Sequence, residues 1–292
     1  MQPLKIALVA PVWLRVPPVS YGGIEQVVNL LADGLVDRGH DVTLFASGDS
    51  VTKAKVEAVY QQPQKDKIGQ LLPDVFHVGS AYSKIKRGNF DIVHDHTSFT
   101  GVVCGSFLKV PVLATLHGEL NSQTIPFYRF FQKAVFYNAI SEAQKAGFPT
   151  LNYVATVYNA IDVNRFKYSA KKEPFLLALS RISPQKGSHL AVSIAKKSGL
   201  PLILAGKVDP GDIDYFEAKV KPQIDGKQIK FLGEVSHTEK VELLAKAKAL
   251  IFPIQWSEPF GLVMVEAMAS GTPVIALNNG SVPELIVHQK TG

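Results

Sequence analysis

The chain has 292 residues, a formal net charge of +6 and 46% apolar residues. This length exceeds that of most single domains, so two domains are expected. The single cysteine, Cys104, excludes an internal disulfide framework and indicates a reducing compartment. No signal peptide and no apolar stretch of about 18 residues are found, so neither secretion nor a membrane span is predicted. The positive charge suits anionic ligands or an anionic membrane surface, and a basic surface without a special partner is the equal alternative.

Short apolar runs alternate with helical segments along the first half of the chain. A buried strand is predicted at residues 4–10, a helix at 22–39 and a second strand at 41–47. Further runs with the composition of strands follow at 90–96, 110–118, 134–141 and 151–159. Such alternation is typical of parallel sheets that are joined by crossover helices.

A polar segment at residues 162–174 interrupts this pattern and is interpreted as a linker. Alternation then resumes, with strands predicted at 175–181, 200–206, 228–233, 249–255 and 272–278. We therefore predict an α/β protein with two Rossmann-like, doubly wound domains. The first covers residues 1–167 and the second covers residues 173–292.

The glycines after the first predicted strand do not match the G-x-G-x-x-G fingerprint of dinucleotide-binding enzymes. A longer loop precedes the first helix, and Gly22 and Gly23 open that helix. Adjacent glycines allow close backbone approach to a ligand, and the free amides of a helix N-terminus attract anions. A flexible turn is the alternative interpretation of this pair.

Two cations lie in the loop "LSRISPQKG" after the first strand of the second domain. Arg181 and Lys186 are five positions apart and are followed by Gly187. Ligands of open parallel sheets bind outside the carboxyl ends of the strands. An arginine fork and a lysine point charge at that place suit a diphosphate. The alternative is a solvated basic loop.

The stretch "SEPFGLVMVEAMASGTPVIA" places Glu258 and Glu266 in otherwise apolar surroundings. Pro259 suits the first turn of a helix and Gly271 its end, which predicts a helix over residues 260–270. If fully helical, the two carboxylates would be separated by about 12 Å along the axis. A sugar nucleotide would fit, with hexose and ribose hydroxyls at the carboxylates and phosphates at the helix N-terminus. The alternative is two surface glutamates on an amphipathic helix.

These motifs resemble those of the retaining glycosyltransferases of family 4, which have the GT-B fold, and the resemblance covers nearly the whole chain. The E-x7-E motif spans Glu258 to Glu266. Its companions are "SRISPQKG", "YNAIDVNRF", "GSVPELI" and the N-terminal "YGGIE". The resemblance implies two Rossmann-like domains that face a cleft. The nucleotide-diphosphate sugar would bind mostly to the second domain and the acceptor mostly to the first.

The resemblance also implies roles for individual residues. Gly22, Gly23, Arg181 and Lys186 would surround the diphosphate, and Glu266 would hold the ribose. His117 in "ATLHGE" would lie near the transferred sugar. The donor-binding set in the second domain is Arg181, Lys186, Glu258, Pro259, Phe260, Gly261, Leu262 and Glu266. The catalytic candidates are Arg181, Lys186, His117 and Glu258.

The predicted reaction moves a hexosyl group to an acceptor hydroxyl with retention. Charge that develops on the leaving diphosphate would be met by the two cations and by helix amides. The incoming hydroxyl would attack from the same face and pass its proton to the departing phosphate. A buried structural histidine is the alternative role for His117. No resident cofactor, no essential metal and no nucleic-acid partner are expected.

Two acidic motifs raise a metal alternative. His94, Asp95 and His96 form "HDH", but neighbouring strand residues point to opposite faces, so the three side chains should not converge. Asp212 and Asp214 resemble the D-x-D of metal-dependent glycosyltransferases but lie far along the chain from the donor motifs. Neither motif is therefore expected to bind a metal.

Further features concern location and completeness. The aromatic, basic segment 125–137, with Arg129 and Lys133, suits a membrane-surface or acceptor-side helix, but a core helix that runs into the next strand is favoured. A cytoplasmic protein is expected, with association at the inner membrane surface left open.

Ala160 replaces the glycine usual in the family, and the chain stops at "HQKTG", where relatives usually continue. The second domain is therefore expected to be incomplete.

The sequence leaves two other classes of function open. One is an enzyme of the same architecture with different chemistry, such as a sugar-nucleotide epimerase or a phosphorylase. The other is a protein that binds sugar nucleotides without catalysis. Nucleoside diphosphate release with and without an acceptor would distinguish these classes from a transferase.

Overall fold

The computed structural model describes residues 2–292, and the chain divides into two compact units. One unit ends at Ala160 and the other comprises Ile161–Gly292. Each unit contains a parallel β-sheet with helices on its faces. The division lies a few residues before the boundary that the polar segment 162–174 suggested, so that segment belongs to the beginning of the second unit.

The first unit contains a seven-stranded parallel sheet in the order β3-β2-β1-β4-β5-β6-β7. Its strands are β1 (Lys5–Val9), β2 (Asp41–Phe45), β3 (Lys55–Glu57), β4 (Ile92–Asp95), β5 (Val112–Thr115), β6 (Phe136–Ala139) and β7 (Tyr153–Thr156). Every strand predicted from the sequence in this half is confirmed. The edge strand β3 was missed because its three residues, Lys-Val-Glu, form no apolar run.

Helices cover both faces of this sheet. They are α1 (Gly23–Asp37), α2 (Leu71–Arg87), α3 (Phe99–Gly105), α4 (Ile125–Phe131) and α5 (Glu142–Ala146). Alternate residues of β1 point to opposite faces, as the strand period requires. Ile6 and Leu8 belong to the hydrophobic core that includes α1, whereas Ala7 and Val9 belong to the core that includes α2.

The second unit contains a five-stranded parallel sheet in the order β10-β9-β8-β11-β12. Its strands are β8 (Leu176–Leu179), β9 (Leu202–Ala205), β10 (Ile229–Phe231), β11 (Ala249–Phe252) and β12 (Val274–Ala276). Its helices are α6 (Ser188–Ser198), α7 (Ile213–Tyr215), α8 (His237–Lys246), α9 (Leu262–Ala269) and α10 (Val282–Leu285). All five strands that the sequence predicted in this half are confirmed.

Each sheet has a topological switch point, which is the place where ligands bind in this architecture. In each, the first strand lies between two neighbours that are reached by connections running in opposite directions along the sheet: β2 and β4 in the first unit, β9 and β11 in the second. The loops at the carboxyl ends of such strands form a crevice at the switch point. The predicted site residues of the second unit follow β8 and β11, and these two strands are paired.

Candidate functional site

The loop between β8 and α6 brings Lys186 to the end of β11. Gly187 has a φ of 68°, and a Cβ atom there would lie 2.1 Å from the carbonyl oxygen of Pro253. Only glycine permits this close approach. As a result, Lys186 Nζ lies 2.5 Å from Glu258 Oε2, although the two residues are 72 positions apart. Their side chains are only 12% and 9% exposed.

Aromatic rings and a second donor surround this ion pair. Trp256 Nε1 donates a hydrogen bond of 2.8 Å to Glu258 Oε2. The Lys186 ammonium lies 5.2 Å from the centre of the Trp256 ring and 5.5 Å from that of Phe252. Burial lowers the pKa of Lys186, Glu258 opposes that shift, and the nearby charge of Arg181 adds to it. The ammonium is therefore a charge in a largely dry, aromatic environment that an anion would stabilise.

The "GSVPELI" motif supports the backbone of Glu258 rather than supplying side chains to the pair. A Cβ on Gly280 would lie 2.3 Å from the backbone nitrogen and oxygen of Glu258. Ser281 donates from its backbone N–H to the Glu258 carbonyl at 2.9 Å and from its hydroxyl to the Phe260 carbonyl at 2.6 Å. The motif therefore fixes the segment that carries Glu258.

Arg181 is held by an aspartate that the sequence analysis did not select. Its Nη1 donates to Asp209 Oδ2 at 2.9 Å, and Lys207 Nζ lies 2.8 Å from Asp209 Oδ1. Burial raises the pKa of Asp209, but the hydrogen bonds from Lys207 and Arg181 outweigh it and hold the pKa below the usual value. Lys207 and Asp209 follow the end of β9, which is paired with β8. The rule that binding residues follow the carboxyl ends of parallel strands could therefore have indicated them.

Glu266 lies inside α9 and is also paired. It is 7% exposed, and Lys240 Nζ of α8 donates to its Oε1 at 2.6 Å. The same ammonium lies 5.5 Å from the centre of the Phe166 ring. The charge and hydrogen bond of Lys240 offset the desolvation cost of this carboxylate in an apolar helix.

The predicted start of the helix around Glu266 was wrong. α9 begins at Leu262 rather than at residue 260, and Pro259 and Phe260 precede it as buried, non-helical residues. Gly261, with a φ of 80°, forms the N-cap in the left-handed conformation. The backbone turns at this glycine, so the helical spacing of about 12 Å does not apply between Glu258 and Glu266.

The two glycines of the first unit open α1. Gly23 is its first residue, and Gly22 is the N-cap with a φ of 151°. A Cβ on Gly22 would lie 2.7 Å from the Pro18 Cβ, so the loop closes against the helix start only with glycine. Neither of these two positions carries a Cβ atom, and the free amides of a helix N-terminus carry partial positive charge.

His117 follows β5 and lies in a row of three imidazoles. Its Nε2 is 2.8 Å from His96 Nδ1, and the two rings stack with centres 5.1 Å apart. The His94 ring lies 4.5 Å from that of His96, and its Nε2 is 2.7 Å from Thr115 Oγ1. Burial lowers the pKa of His117 to about 3 and that of His94 to about 4. The rings are therefore neutral near pH 7.

Asp95 points away from the histidines, as the strand alternation predicted. Its carboxylate accepts from Tyr82 at 3.0 Å and from the backbone and hydroxyl of Thr97. Burial raises its pKa to about 6. Within residues 2–292, neither this segment nor Asp212 and Asp214 belongs to a cluster of three or more side chains that could hold a metal ion.

The aromatic segment 125–137 packs mainly against the first unit's core. Tyr128 is buried, and Phe127 and Phe131 contact the core that includes α2. The Arg129 guanidinium lies 4.8 Å from the centre of the Phe148 ring, whereas Phe130 is 80% exposed. In the part of the chain that the structure describes, no helix is long and apolar enough to cross a membrane.

Two family models match the chain in succession. Residues 21–165 match the model described as "Glycosyltransferase Family 4". Residues 160–292 match the model described as "Glycosyl transferases group 1". The first match contains the α1 glycines and His117, and the second contains all the charged pairs described above.

Relatives and solved structures are similar to this chain over nearly its whole length. A glycogen synthase of Mycobacterium tuberculosis is 26% identical, with 94% of this chain and 79% of that protein covered. A crystal structure of a glycosyltransferase of avilamycin A biosynthesis is 28% identical, with a TM-score of 0.71 over 97% of this chain and 81% of the other. The Anabaena protein HepE in complex with UDP-glucose is 25% identical, with a TM-score of 0.73 over 98% of this chain and 83% of the other. Two parallel-sheet units with these matches identify the chain as an enzyme of the GT-B fold that belongs to the group 1 glycosyltransferases.

Proposed function

We propose that this protein is a retaining glycosyltransferase that moves a hexosyl group from a nucleotide-diphosphate sugar to an acceptor hydroxyl. The observation that carries the proposal is the buried Lys186–Glu258 pair at the carboxyl ends of β8 and β11. The UDP-glucose complex of HepE supports the same donor class.

The diphosphate of the donor would bind at Lys186 and Arg181. Glu258 and Asp209 neutralise these two cations, which lowers the cost of keeping them in partly dry surroundings. A diphosphate would take over this neutralising role at Lys186. Because its charge grows as the glycosidic bond breaks, the cations would bind the departing diphosphate more tightly than the intact donor. The α1 amides at Gly22 and Gly23 would assist in the same way.

The sugar and ribose ends of the donor would meet the two glutamates. Glu258, together with Pro259, Phe260, Gly261 and Leu262, would contact the hexose and the adjoining phosphate. Glu266 would accept hydrogen bonds from the ribose hydroxyls, since a carboxylate can accept from two neighbouring hydroxyls at once. Its pairing with Lys240 leaves Glu266 Oε2 available for that contact.

Retention without a covalent intermediate fits the environment of Glu258. This carboxylate is bound by Lys186 and Trp256, which makes it a poor nucleophile. The acceptor hydroxyl would attack on the face that the diphosphate leaves, and the phosphate oxygen would take the proton. His117, neutral near pH 7, would contact the transferred sugar. Neither a cofactor nor a metal is required by this scheme.

The experiment that tests the proposal measures nucleoside diphosphate release and product configuration. The protein is incubated with UDP-glucose, ADP-glucose or GDP-mannose, with and without a panel of sugar and lipid acceptors. Release that depends on an acceptor, with an α-linked product in the proton NMR spectrum, is expected. An altered sugar nucleotide without release would indicate an epimerase. Binding without any reaction would indicate a non-catalytic protein, and a β-linked product would exclude retention.

We expect Glu266→Ala to weaken binding of the free nucleoside diphosphate, because the ribose is present in that ligand as well as in the donor. A loss of about tenfold is the scale of one hydrogen bond to a charged group. Calorimetry with UDP, ADP or GDP measures it. Glu217→Ala, which removes an exposed glutamate paired only with Lys221, is the matched control. Unchanged affinity in Glu266→Ala would remove this residue from the nucleotide site.

We expect a chelator to leave turnover essentially unchanged. Arg181, Lys186 and helix amides supply the positive charge that metal ions supply in other transferases. The measurement is the initial rate in buffer treated with EDTA, compared with the rate after addition of magnesium or manganese. A loss of activity that either ion restored would overturn this expectation and redirect attention to Asp212 and Asp214.

We also propose that the protein works in the cytoplasm and associates with the inner membrane surface through α2. Leu71, Leu72, Val75 and Phe76 form one apolar face with exposed fractions between 44% and 76%. The opposite face of the helix is buried in the core. Exposed lysines at positions 65 and 67 precede this face, so apolar contact and attraction to anionic lipid would act together.

We expect vesicles of phosphatidylglycerol and phosphatidylethanolamine to sediment the protein, and the double change Leu72→Ser with Phe76→Ser to reduce the bound fraction several-fold. Burial of these side chains in the acyl region supplies the apolar part of the attraction. Phe107→Ser, at a residue outside α2 that is 77% exposed, serves as the control. Equal sedimentation of the double variant and the wild type would exclude α2 as the contact.

A further inference from the structure

The row of three histidines in the first unit shows an asymmetry that the proposed donor role of His117 does not explain. His96 is 2% exposed, and its Nε2 is buried without a hydrogen-bond partner within the described part of the chain. Its other ring nitrogen, Nδ1, is engaged with His117 Nε2 at 2.8 Å. Because His117 Nε2 is engaged with His96, Nδ1 is the ring nitrogen of His117 that remains for a ligand. The residue is half-buried, so a ligand can reach it.

One proton must lie between His96 Nδ1 and His117 Nε2, because burial lowers the pKa of both rings and keeps them neutral. If His117 donated from Nε2, His96 would carry its own proton on the buried, unpartnered Nε2. If His96 donates from Nδ1, its Nε2 is a bare acceptor. Orphaned buried N–H groups are rarer than under-satisfied acceptors, so the second arrangement has the lower cost.

We propose that His96 is a positioning residue that fixes His117 as the Nδ1–H tautomer, so that His117 presents a hydrogen-bond donor to a sugar oxygen. His96 donates from Nδ1, His117 accepts at Nε2, and the His117 proton therefore resides on Nδ1. Contact with the tilted His94 ring, itself held at Thr115, keeps the His96 ring from rotating. The ligand class is a hydroxyl or ring oxygen with a free lone pair, and the inference rests on the proposed donor role of His117.

The direct test needs no substrate. Long-range proton–nitrogen correlation spectra of ligand-free protein labelled with nitrogen-15 histidine report which ring nitrogen carries each proton. The His96→Phe and His117→Gln variants assign the signals. Both His96 and His117 are expected as Nδ1–H tautomers. A proton on His117 Nε2 would overturn the proposal, whether or not the protein turns over any sugar nucleotide.

Kinetics test the consequence for catalysis. His96→Phe keeps a ring in the stack but removes the donor, so kcat should fall about 10- to 100-fold, the range for loss of a partner that orients a functional histidine. His96→Asn, which keeps an N–H near the Nδ1 position, should recover most of that loss. UDP affinity should be unchanged in both variants, which confirms that the second unit is intact. Equal kcat in His96→Phe and the wild type would contradict the positioning role. Absence of turnover in the wild type would count against the proposed function alone, since the spectra still decide the tautomer.

Discussion

Replacement of Lys186 by alanine is expected to lower kcat by about 100-fold or more, which corresponds to roughly 3 kcal/mol and to the loss of one oxyanion donor. The affinity for the donor should fall by less, because the diphosphate carries more charge as the glycosidic bond breaks than it does in the resting complex. Arg181→Lys should also be damaging, since an ammonium cannot reproduce the guanidinium fork. Steady-state kinetics beside equilibrium binding measure these effects.

The control for this experiment is Lys197→Ala, which removes an exposed lysine near the end of α6. It has the same change in charge and should leave both quantities unchanged. If Lys186→Ala lowered kcat and donor affinity by the same factor, Lys186 would be a docking charge only. If neither changed, the loop would be the solvated basic loop that the sequence left open, and the diphosphate would bind elsewhere.

Replacement of Glu258 by glutamine is expected to lower the free energy of unfolding of the second unit by about 3 kcal/mol. The change keeps an acceptor for Trp256 but leaves the Lys186 ammonium, 12% exposed, without its counter-charge. Removing one partner of a buried pair strands the other charge, which costs much more than the pair contributed. Urea unfolding measures the loss. Bound UDP, ADP or GDP should reduce the difference in unfolding free energy between this variant and the wild type, because a diphosphate replaces the missing charge.

Glu242→Gln provides the comparison with an exposed ion pair. Glu242 lies 3.0 Å from Lys167, and the two side chains are 44% and 60% exposed. Such pairs contribute between about 0 and 1 kcal/mol, so its loss should be small. If Glu258→Gln were no more destabilising than Glu242→Gln, Lys186 would not depend on Glu258. If the nucleotide did not narrow the difference, the diphosphate would not lie at Lys186.

The strands were predictable from the sequence because parallel strands buried on both faces are continuous apolar runs. The same was true of the loops that carry Arg181 and Lys186, since such loops follow strands at a known edge of the sheet. The start of α9 was not predicted correctly. Proline before an apolar run suggested a first turn, but the left-handed conformation of Gly261 places the N-cap two residues after Pro259.

Partners that meet only through the fold were missed. Lys240 reaches Glu266 from a helix 26 positions away, and Asp209 reaches Arg181 from the loop after the neighbouring strand. Lys240 has no local pattern that distinguishes it from an ordinary surface charge, and the only signal for Asp209 is its place after the end of β9. The histidines were noticed as a motif, but His96 was weighed only as a metal ligand. Its contact with His117 depends on the pairing of β4 with β5, which the sequence does not display.

We propose that a nucleotide sugar binds at the charged pairs of the second unit. A crystal structure of the protein with UDP, ADP or GDP, whichever calorimetry shows to bind, would locate the nucleotide. We expect the β-phosphate oxygens to contact Lys186 Nζ and Arg181, the ribose hydroxyls to contact Glu266, and the Lys186–Glu258 separation to lengthen from 2.5 Å. A nucleotide bound away from both cations, with that separation unchanged, would exclude the charged pairs as the donor site.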